Sequence, residues 1–272
     1  MKTSSSQPGP LTSAHDLYGN SQRAPSIREL ETRLRNEPKL SIRDFEIGPT
    51  LGTGTFGRVR QVRFKHSLSP HVFALKMLRK TEILKLNQVE HIKSEKRILA
   101  MTDHPFIVKL ICSFQNSRYI YMLFEYLPGG ELFSRLRKDG RFSEDVALFY
   151  ASEILLALRY LHRNKIIYRD LKPENLLLNS QGHVKLADFG FAKALDANRT
   201  KTLCGTPEYL SPEIIRGQKA GYGRSADWWA FGILLYEMLV GSTNQLPPLL
   251  RQEADRNLPK DPRRNRRVPR SS

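Results

Sequence analysis

Between Lys165 and Pro212 lie two short apolar runs, Leu176 to Leu178 and Val184 to Ala187, separated by the turn-forming group Asn179, Ser180, Gln181 and Gly182. Such a pattern predicts a β-hairpin, and a hairpin leaves its outer ends side by side. One end carries Asp170, Lys172 and Asn175, and the other carries Asp188. Two carboxylates, an amide and an ammonium therefore converge although they are far apart along the chain. Hard oxygen ligands suit Mg²⁺, a lysine suits a phosphate anion, and a second Asp remains as a base. Asp, Asn and Gly also form ordinary turns, so the pattern needs support from the rest of the chain.

At 272 residues the chain has material for one large domain or two small lobes. The 44 Lys and Arg against 27 Asp and Glu give a net charge of +17, a balance that fits nucleic acid or an acidic membrane surface. Its placement argues otherwise. The stretch 251–272 holds eight Lys or Arg and three Asp or Glu, interrupted by prolines. The remaining excess is spread over a sequence without a recognisable nucleic-acid module, so direct nucleic-acid binding is not expected. Cys112 and Cys204 are too few and too far apart for a disulfide framework or a zinc site. This points to a reducing compartment, the cytoplasm first and the nucleus second. No apolar run reaches membrane-spanning length, and the opening Met1-Lys2 offers neither a signal peptide nor a myristoylation site.

Residues 1–25, rich in Ser, Pro, Gln and Gly, are expected to be disordered. Ser26 and Glu29 then form a capping box, with Ile27, Leu30 and Leu34 as a narrow stripe. The pattern predicts a short amphipathic helix over about 26–37, docked on the domain that follows; a purely solvated helix is the alternative. From Phe45 the pattern becomes that of strands. The run Leu51, Gly52, Thr53, Gly54, Thr55, Phe56, Gly57, Arg58, Val59 contains GxGxxG, which also opens dinucleotide-binding units. Those units need a helix straight after the last Gly, whereas Val59, Val62 and Phe64 read as another strand. A strand, glycine turn and strand lets backbone amides approach a triphosphate.

Lys76 sits in the strand-like run from His71, where a buried ammonium needs a counter-charge. A helix from about Gln88 to Met101 supplies one, because Glu95 falls on the same face as Ile92 and Leu99. Strands follow at about Val108 to Phe114 and Tyr119 to Glu125. Glu125 to Leu127, before Pro128-Gly129-Gly130, reads as a hinge whose backbone groups can meet an adenine edge. After it come helices over Glu131 to Lys138 and Ser143 to Arg163, the second with Val146, Phe149, Ile154, Leu158 and Leu161 on its apolar face. The stretch Asp227 to Val240 is apolar on all sides and is expected to be a buried strut.

From Phe45 to about Gly241 these motifs resemble a protein kinase of the AGC serine/threonine type, and within it the cyclic-AMP-dependent protein kinase catalytic subunit. The residues that carry the resemblance are GTGTFG, Lys76, YRDLKPEN, DFG, GTPEYLSPE and ADWWAFGILLYEM. The implied fold is α+β and bilobal, with a small, mostly antiparallel lobe over 45–127 carrying one main helix. An incomplete, mainly helical large lobe takes 128–241, after a disordered extension over 1–44 that carries the short helix and before a basic tail over 242–272 that does not match the family and is expected to be disordered.

The resemblance implies ATP and Mg²⁺ as cofactors. Leu51, Gly52, Thr53, Gly54, Thr55, Phe56, Gly57, Arg58 and Val59 would cover ATP. Lys76 with Glu95 would anchor its phosphates, while Ala74, Glu125, Leu127, Leu177 and Ala187 would border adenine with Phe124 behind. Asp170 would be the base, Lys172 would steady the transferring group, Asn175 and Asp188 would hold the metal, and Glu174 would border both nucleotide and substrate. Thr202 matches an activation-loop phosphosite, facing His91, Arg169 and Lys193, and implies an upstream kinase. Glu131, Glu174, Glu208 and Glu237 would read basic residues before the target Ser or Thr, and Leu203, Pro207 and Leu210 would shape the pocket after it.

A cyclic-AMP-binding regulatory subunit is a further implied partner. Relatives continue past the position of Gly241 with more helices and a tail that wraps the small lobe. This chain reads differently from Ser242 onward, so the helix over 227–240 is expected to lose much of its covering and leave apolar surface; a truncated or mis-spliced product and a shortened isoform both stay open, as do an active transferase and an inactive binding fragment.

Overall fold

The computed structural model describes residues 26–37, 39–67, 71–195, 199–217 and 220–241, so the two ends expected to be disordered lie outside the described residues. Helix α1 (Ile27–Asn36) starts at the capping box: Ser26 N–H donates to Glu29 Oε2 at 2.7 Å, and Glu29 N–H donates back to Ser26 Oγ. Leu30 and Leu34 are buried, whereas Ile27, the first residue of the predicted stripe, is exposed. The helix is docked through two leucines.

Beneath it lies an antiparallel sheet of β1 (Phe45–Gly54), β2 (Gly57–Phe64), β3 (Val72–Arg79), β4 (Leu110–Gln115) and β5 (Tyr119–Glu125), in the order β1-β2-β3-β5-β4. Alternate residues Phe73, Leu75, Tyr121 and Leu123 point to the α1 side and pack with Leu30, Leu34, Phe45 and Phe64. Two helices, α2 (Lys80–Lys85) and α3 (Val89–Met101), connect β3 to β4. In α3 the buried residues are Ile92, Glu95, Ile98 and Leu99, an inward stripe that includes one carboxylate. The strand expected from Val108 starts at Leu110, because the chain just before it is claimed by the other lobe: Val108 N–H donates to Leu186 O at 2.9 Å, and Leu186 N–H to Phe106 O at 2.9 Å.

The large lobe contains β6 (Gly130–Glu131), α4 (Leu132–Asp139), α5 (Glu144–Arg163), β7 (Ile166–Ile167), β8 (Leu176–Leu178), β9 (Val184–Leu186), β10 (Lys193–Ala194), α6 (Pro212–Ile215) and α7 (Ser225–Val240). Strands β6, β8 and β9 form one small sheet, and β7 pairs with β10. Two expectations are revised here. The inner face of α5 is Ala147, Tyr150, Ala151, Ile154, Ala157, Leu158 and Leu161, while Val146 and Phe149 are exposed, since at about 100° per residue they lie outside that arc. Helix α7 is buried on one side only, through Ala226, Asp227, Ala230, Leu234 and Met238; Trp228, Tyr236 and Val240 are exposed. No helix among the described residues is long and apolar enough to cross a membrane.

Candidate active site

Strands β8 and β9 pair antiparallel with Leu176 opposite Leu186 and Leu178 opposite Val184. The turn between them is organised by Asn179, whose Oδ1 accepts from Gln181 N–H and His183 N–H, and by Gly182 at φ +87°. Ala187 N–H donates to Asn175 O at 2.8 Å, which brings the residue before Asp188 to the outer end of β8. Asn175 donates from Nδ2 to Asp170 Oδ2 at 2.7 Å and to Asp170 O at 2.8 Å. Lys172 Nζ stands 3.1 Å from Asp170 Oδ2. The expected convergence of Asp170, Lys172, Asn175 and Asp188 is thus present in the geometry.

The backbone carries strain at two of these positions. Arg169 has φ +71° and Asp188 φ +51°, a region costly for residues with a Cβ. Asp227, fully buried at the start of α7, holds the first of them: its Oδ1 accepts from Arg169 N–H at 2.8 Å and its Oδ2 from Tyr168 N–H at 2.9 Å. His162 Nε2 lies 2.7 Å from the same Oδ2. Sequence reasoning placed Asp227 only in an apolar run, although one carboxylate at the head of such a helix signals a buried polar role. It also passed over Thr206, whose hydroxyl accepts from Lys172 Nζ at 2.9 Å and donates to Asp170 Oδ1 at 2.8 Å. Buried Tyr168 donates to Ala187 O; burial first, then the charges of Asp170, Asp188 and Asp227, push its pKa well above the usual phenol range, so it stays a neutral donor.

Across from this group, β3 and α3 bring Lys76 Nζ to 2.6 Å from Glu95 Oε1 and 3.7 Å from Asp188 Oδ1. Burial works against the ammonium, but the two carboxylates outweigh it and hold the Lys76 pKa above the ordinary lysine range. A cleft of about 540 Å³ opens beside the pair. Leu51, Gly52, Val59, Ala74, Phe124, Glu125, Leu127, Glu131, Leu177, Ala187 and Asp188 line it, together with Tyr126 of the expected hinge and with Leu99, Val108, Pro128, Gly130 and Ser134, which sequence reasoning did not assign to its wall. Apolar walls and a few polar groups at one end suit a flat ring carrying a charged tail.

The flap between β1 and β2 meets the cleft only at its ends, through Leu51, Gly52 and Val59. Thr53, Gly54, Thr55, Phe56, Gly57 and Arg58 do not line the cleft. Thr53, Thr55 and Arg58 are exposed, and Phe56 folds against the core. A Cβ on Gly57 would meet Met77 O at 1.8 Å, so that glycine is required by the close approach of β2 to β3. Gly52 and Gly54 have nothing within 4 Å of such a Cβ, so no contact among the described residues demands glycine there. The space over them is left for something else.

Glu174, in a 3₁₀ turn after Lys172, is exposed and does not reach the cleft wall. Glu237 on α7 accepts from Tyr209 OH. Burial first, then that bond and the charges of Glu237, Glu174 and Glu208, raise the Tyr209 pKa far above the phenol range, so three of the four acidic residues surround one phenol. Glu131 caps α4 at the cleft end. Leu203 and Pro207 are exposed, whereas Leu210 is buried with Ile167 and Leu195 and so turns away from the surface.

The residues expected around Thr202 do not gather on it. His91 Nδ1 lies 2.5 Å from Gln88 Oε1, and Lys193 Nζ donates to Thr200 Oγ1 at 3.3 Å. Arg169 donates to Phe191 O at 2.6 Å and to Tyr222 OH at 3.3 Å. Tyr222 OH in turn donates to Thr202 O at 2.5 Å. An unmodified hydroxyl has no charge to collect three cations, so local acceptors take them.

Two lobes around an apolar cleft, a carboxylate-tethered lysine on one side and a loop with Asp, Lys and Asn on the other, define a protein kinase site. The description "Protein kinase domain" matches residues 45–258, and the chain belongs to that family. It is 52% identical over 219 residues to the human cAMP-dependent protein kinase catalytic subunit PRKX, covering 80% of this chain and 60% of that protein. It is 51% identical over 211 residues to the human putative serine/threonine-protein kinase PRKY, covering 78% and 74%. With cAMP-dependent protein kinase type 3 of Saccharomyces cerevisiae it shares 53% identity over 205 residues, 75% of this chain and 50% of that one. The similarity is thus to AGC-type, cyclic-AMP-dependent kinases, of which this chain spans roughly half to three quarters.

Proposed function

We propose that this chain is a serine/threonine protein kinase that moves the γ-phosphoryl group of ATP to Ser or Thr in proteins with basic residues before the target. The observation that carries the reading is the pair Lys76 and Glu95 facing Asp188, with Asp170, Lys172 and Asn175 at the same mouth. Leu51, Val59, Ala74 and Leu177 provide apolar faces for adenine, and the backbone at Glu125 to Leu127 provides polar groups for its edge.

The donor set fits Mg²⁺. Among the described residues no cluster of three or more His, Cys, Asp and Glu awaits a metal, but Mg²⁺ needs only one or two protein oxygens beside water and phosphate. Asp188 has a well-exposed carboxylate, and Asn175 donates from Nδ2 while keeping Oδ1 as an acceptor. Mg²⁺, when bound, supplies positive charge to the phosphate oxygens. Lys76 orients the phosphate chain, with Glu95 fixing its rotamer. Asp170 orients the substrate hydroxyl and takes its proton. That oxygen bonds to phosphorus while the bond to the leaving ADP oxygen breaks, and Lys172 balances charge on the moving group. Positioning and charge do the work, without a covalent enzyme intermediate.

The acidic group Glu131, Glu174, Glu208 and Glu237 is the proposed reader of substrate Arg residues, Thr202 the proposed phosphosite for an upstream kinase, and a cyclic-AMP-binding subunit a proposed partner. The cytoplasm, with the nucleus second, is the proposed location. The test is radiolabel transfer from ATP to an Arg-rich Ser peptide, with Asp170→Ala as control. Transfer at least about 100-fold above that control is expected, and equality would end the reading.

A second reading, a nucleotide- or partner-binding protein without transferase activity, is favoured by α7, whose Trp228, Tyr236 and Val240 are exposed and whose buried Trp229 Nε1 has no hydrogen-bond partner among the described residues. A rise in the thermal midpoint with Mg²⁺ and ATP, combined with no transfer, would select it.

A further inference from the structure

We propose that α1 is a positioning element for the adenine end of the cleft, acting on the hinge through Glu31, Lys109, Glu125 and Lys185. The inference rests on the nucleotide-binding reading above. Glu31 on α1 lies 2.5 Å from Lys109 Nζ, and its side chain is 12% exposed. The Lys109 backbone grips Glu125 from both directions: Lys109 N–H donates to Glu125 Oε1 at 2.7 Å, and Glu125 N–H donates to Lys109 O at 3.1 Å. The same Oε1 accepts from Lys185 Nζ at 2.7 Å, and the Lys185 side chain is 13% exposed. Two ion pairs, Glu31 with Lys109 and Glu125 with Lys185, are therefore joined through the Lys109 backbone and run from α1, across the sheet edge, to β9 in the large lobe.

The terminus of this row is what gives it a function. Glu125 lines the cleft and opens the hinge. Lys185 sits directly opposite Leu177 in the β8–β9 pairing, and Leu177 is the cleft floor. Ala74, on the opposite wall, is paired with Phe124, the neighbour of Glu125. The ion pair between Glu125 and Lys185 thus ties the floor of the adenine slot to its roof across the two lobes. Partly buried pairs are screened less than surface pairs, and because the Lys109 N–H and Lys185 Nζ share Glu125 Oε1 while the Lys109 side chain is held by Glu31, the two pairs are coupled rather than additive. Docking of α1 by Leu30 and Leu34 holds Glu31 over Lys109, so the helix biases a slot it does not touch.

The experiment uses the 272-residue chain, a fluorescent ADP analogue with Mg²⁺ as probe, and peptide kinetics where transfer is measurable. Lys185→Met should weaken nucleotide binding about tenfold, appearing in KM for ATP with kcat nearly unchanged, and Lys185→Arg should restore it. Glu31→Gln should weaken binding about threefold and speed amide exchange at 125–127 in the nucleotide-free chain. The double variant should fall short of the product of the singles. Unchanged affinity and hinge exchange in Glu31→Gln, or strictly multiplicative effects, would overturn the proposal.

Exchange over 27–36 reports whether α1 stays docked. If it does not, Lys109→Met, which spares Leu30 and Leu34, decides by the same hinge readout. If the unaltered chain binds no probe, the kinase reading fails first, and hinge exchange alone then confirms or overturns the coupling.

Discussion

The small lobe and the large lobe hold their parts of the site by different means. In the small lobe, Leu30, Leu34, Phe73, Leu75 and Leu123 are all buried in one apolar cluster, and Lys76 is placed by the strand that this cluster fixes. In the large lobe, the loop carrying Asp170 is short, strained at Arg169, and suspended from the buried carboxylate of Asp227. Apolar contact is non-directional and tolerates small shifts, whereas a carboxylate with three donors fixes a backbone to one arrangement. A flat ring can be held by the first kind of wall. A hydroxyl that must meet one carboxylate needs the second.

The largest effect should come from breaking the polar side. Asp227→Ala strands two backbone N–H groups and His162, and is expected to cost about 4 kcal/mol in urea unfolding and to abolish transfer. Asp227→Asn, which keeps the shape, should cost less. On the apolar side, Leu34→Ala should cost about 3 kcal/mol by the same measurement while leaving catalytic residues in place. If Leu34→Ala proved the more damaging to kcat, the contrast between the lobes would be reversed.

Chemical labelling sharpens the picture of the small-lobe core. Burial pushes the Cys112 thiol up to about 12, with Arg35 opposing only in part. The group keeps its proton in the fold more tightly than in the open chain. Its contribution is therefore complete below its ordinary pKa of 9.0 and is lost as pH rises toward 12. A thiol reagent at pH 8 should modify Cys204 and spare Cys112; equal rates would show an open core.

Ser26→Ala removes the α1 cap and should cost about 1 kcal/mol, read as faster amide exchange over 27–36. The smallest effect is expected at the exposed side of α7, where Tyr236→Ser should change stability by less than about 0.5 kcal/mol. A large loss there would mean that this face is covered in solution.

Several elements were legible in the sequence because their signals are local. The capping box at Ser26, the hairpin around Asn179 and Gly182, and the α3 stripe with Glu95 each depend on residues a few positions apart. Val146 and Phe149 misled because an apolar residue beside a helix's stripe is not thereby on the arc that faces the core, and small Ala147 and Ala151 take that place. Asp227 and Thr206 were passed over for a related reason: each works by bonding to residues dozens of positions away. His91 and Lys193 bond instead to Gln88 and Thr200, near neighbours that a motif match does not weigh.

By itself the sequence determined the family, the strand and helix pattern, and the pairing of Lys76 with Glu95, since each rests on residue type and short spacing. Tertiary structure alone decided that Asp227 carries the catalytic loop, which side of α7 is buried, and that α1 reaches the hinge through Lys109 and Glu125. Those contacts join distant segments. Their energies depend on burial and direction, which no local pattern encodes.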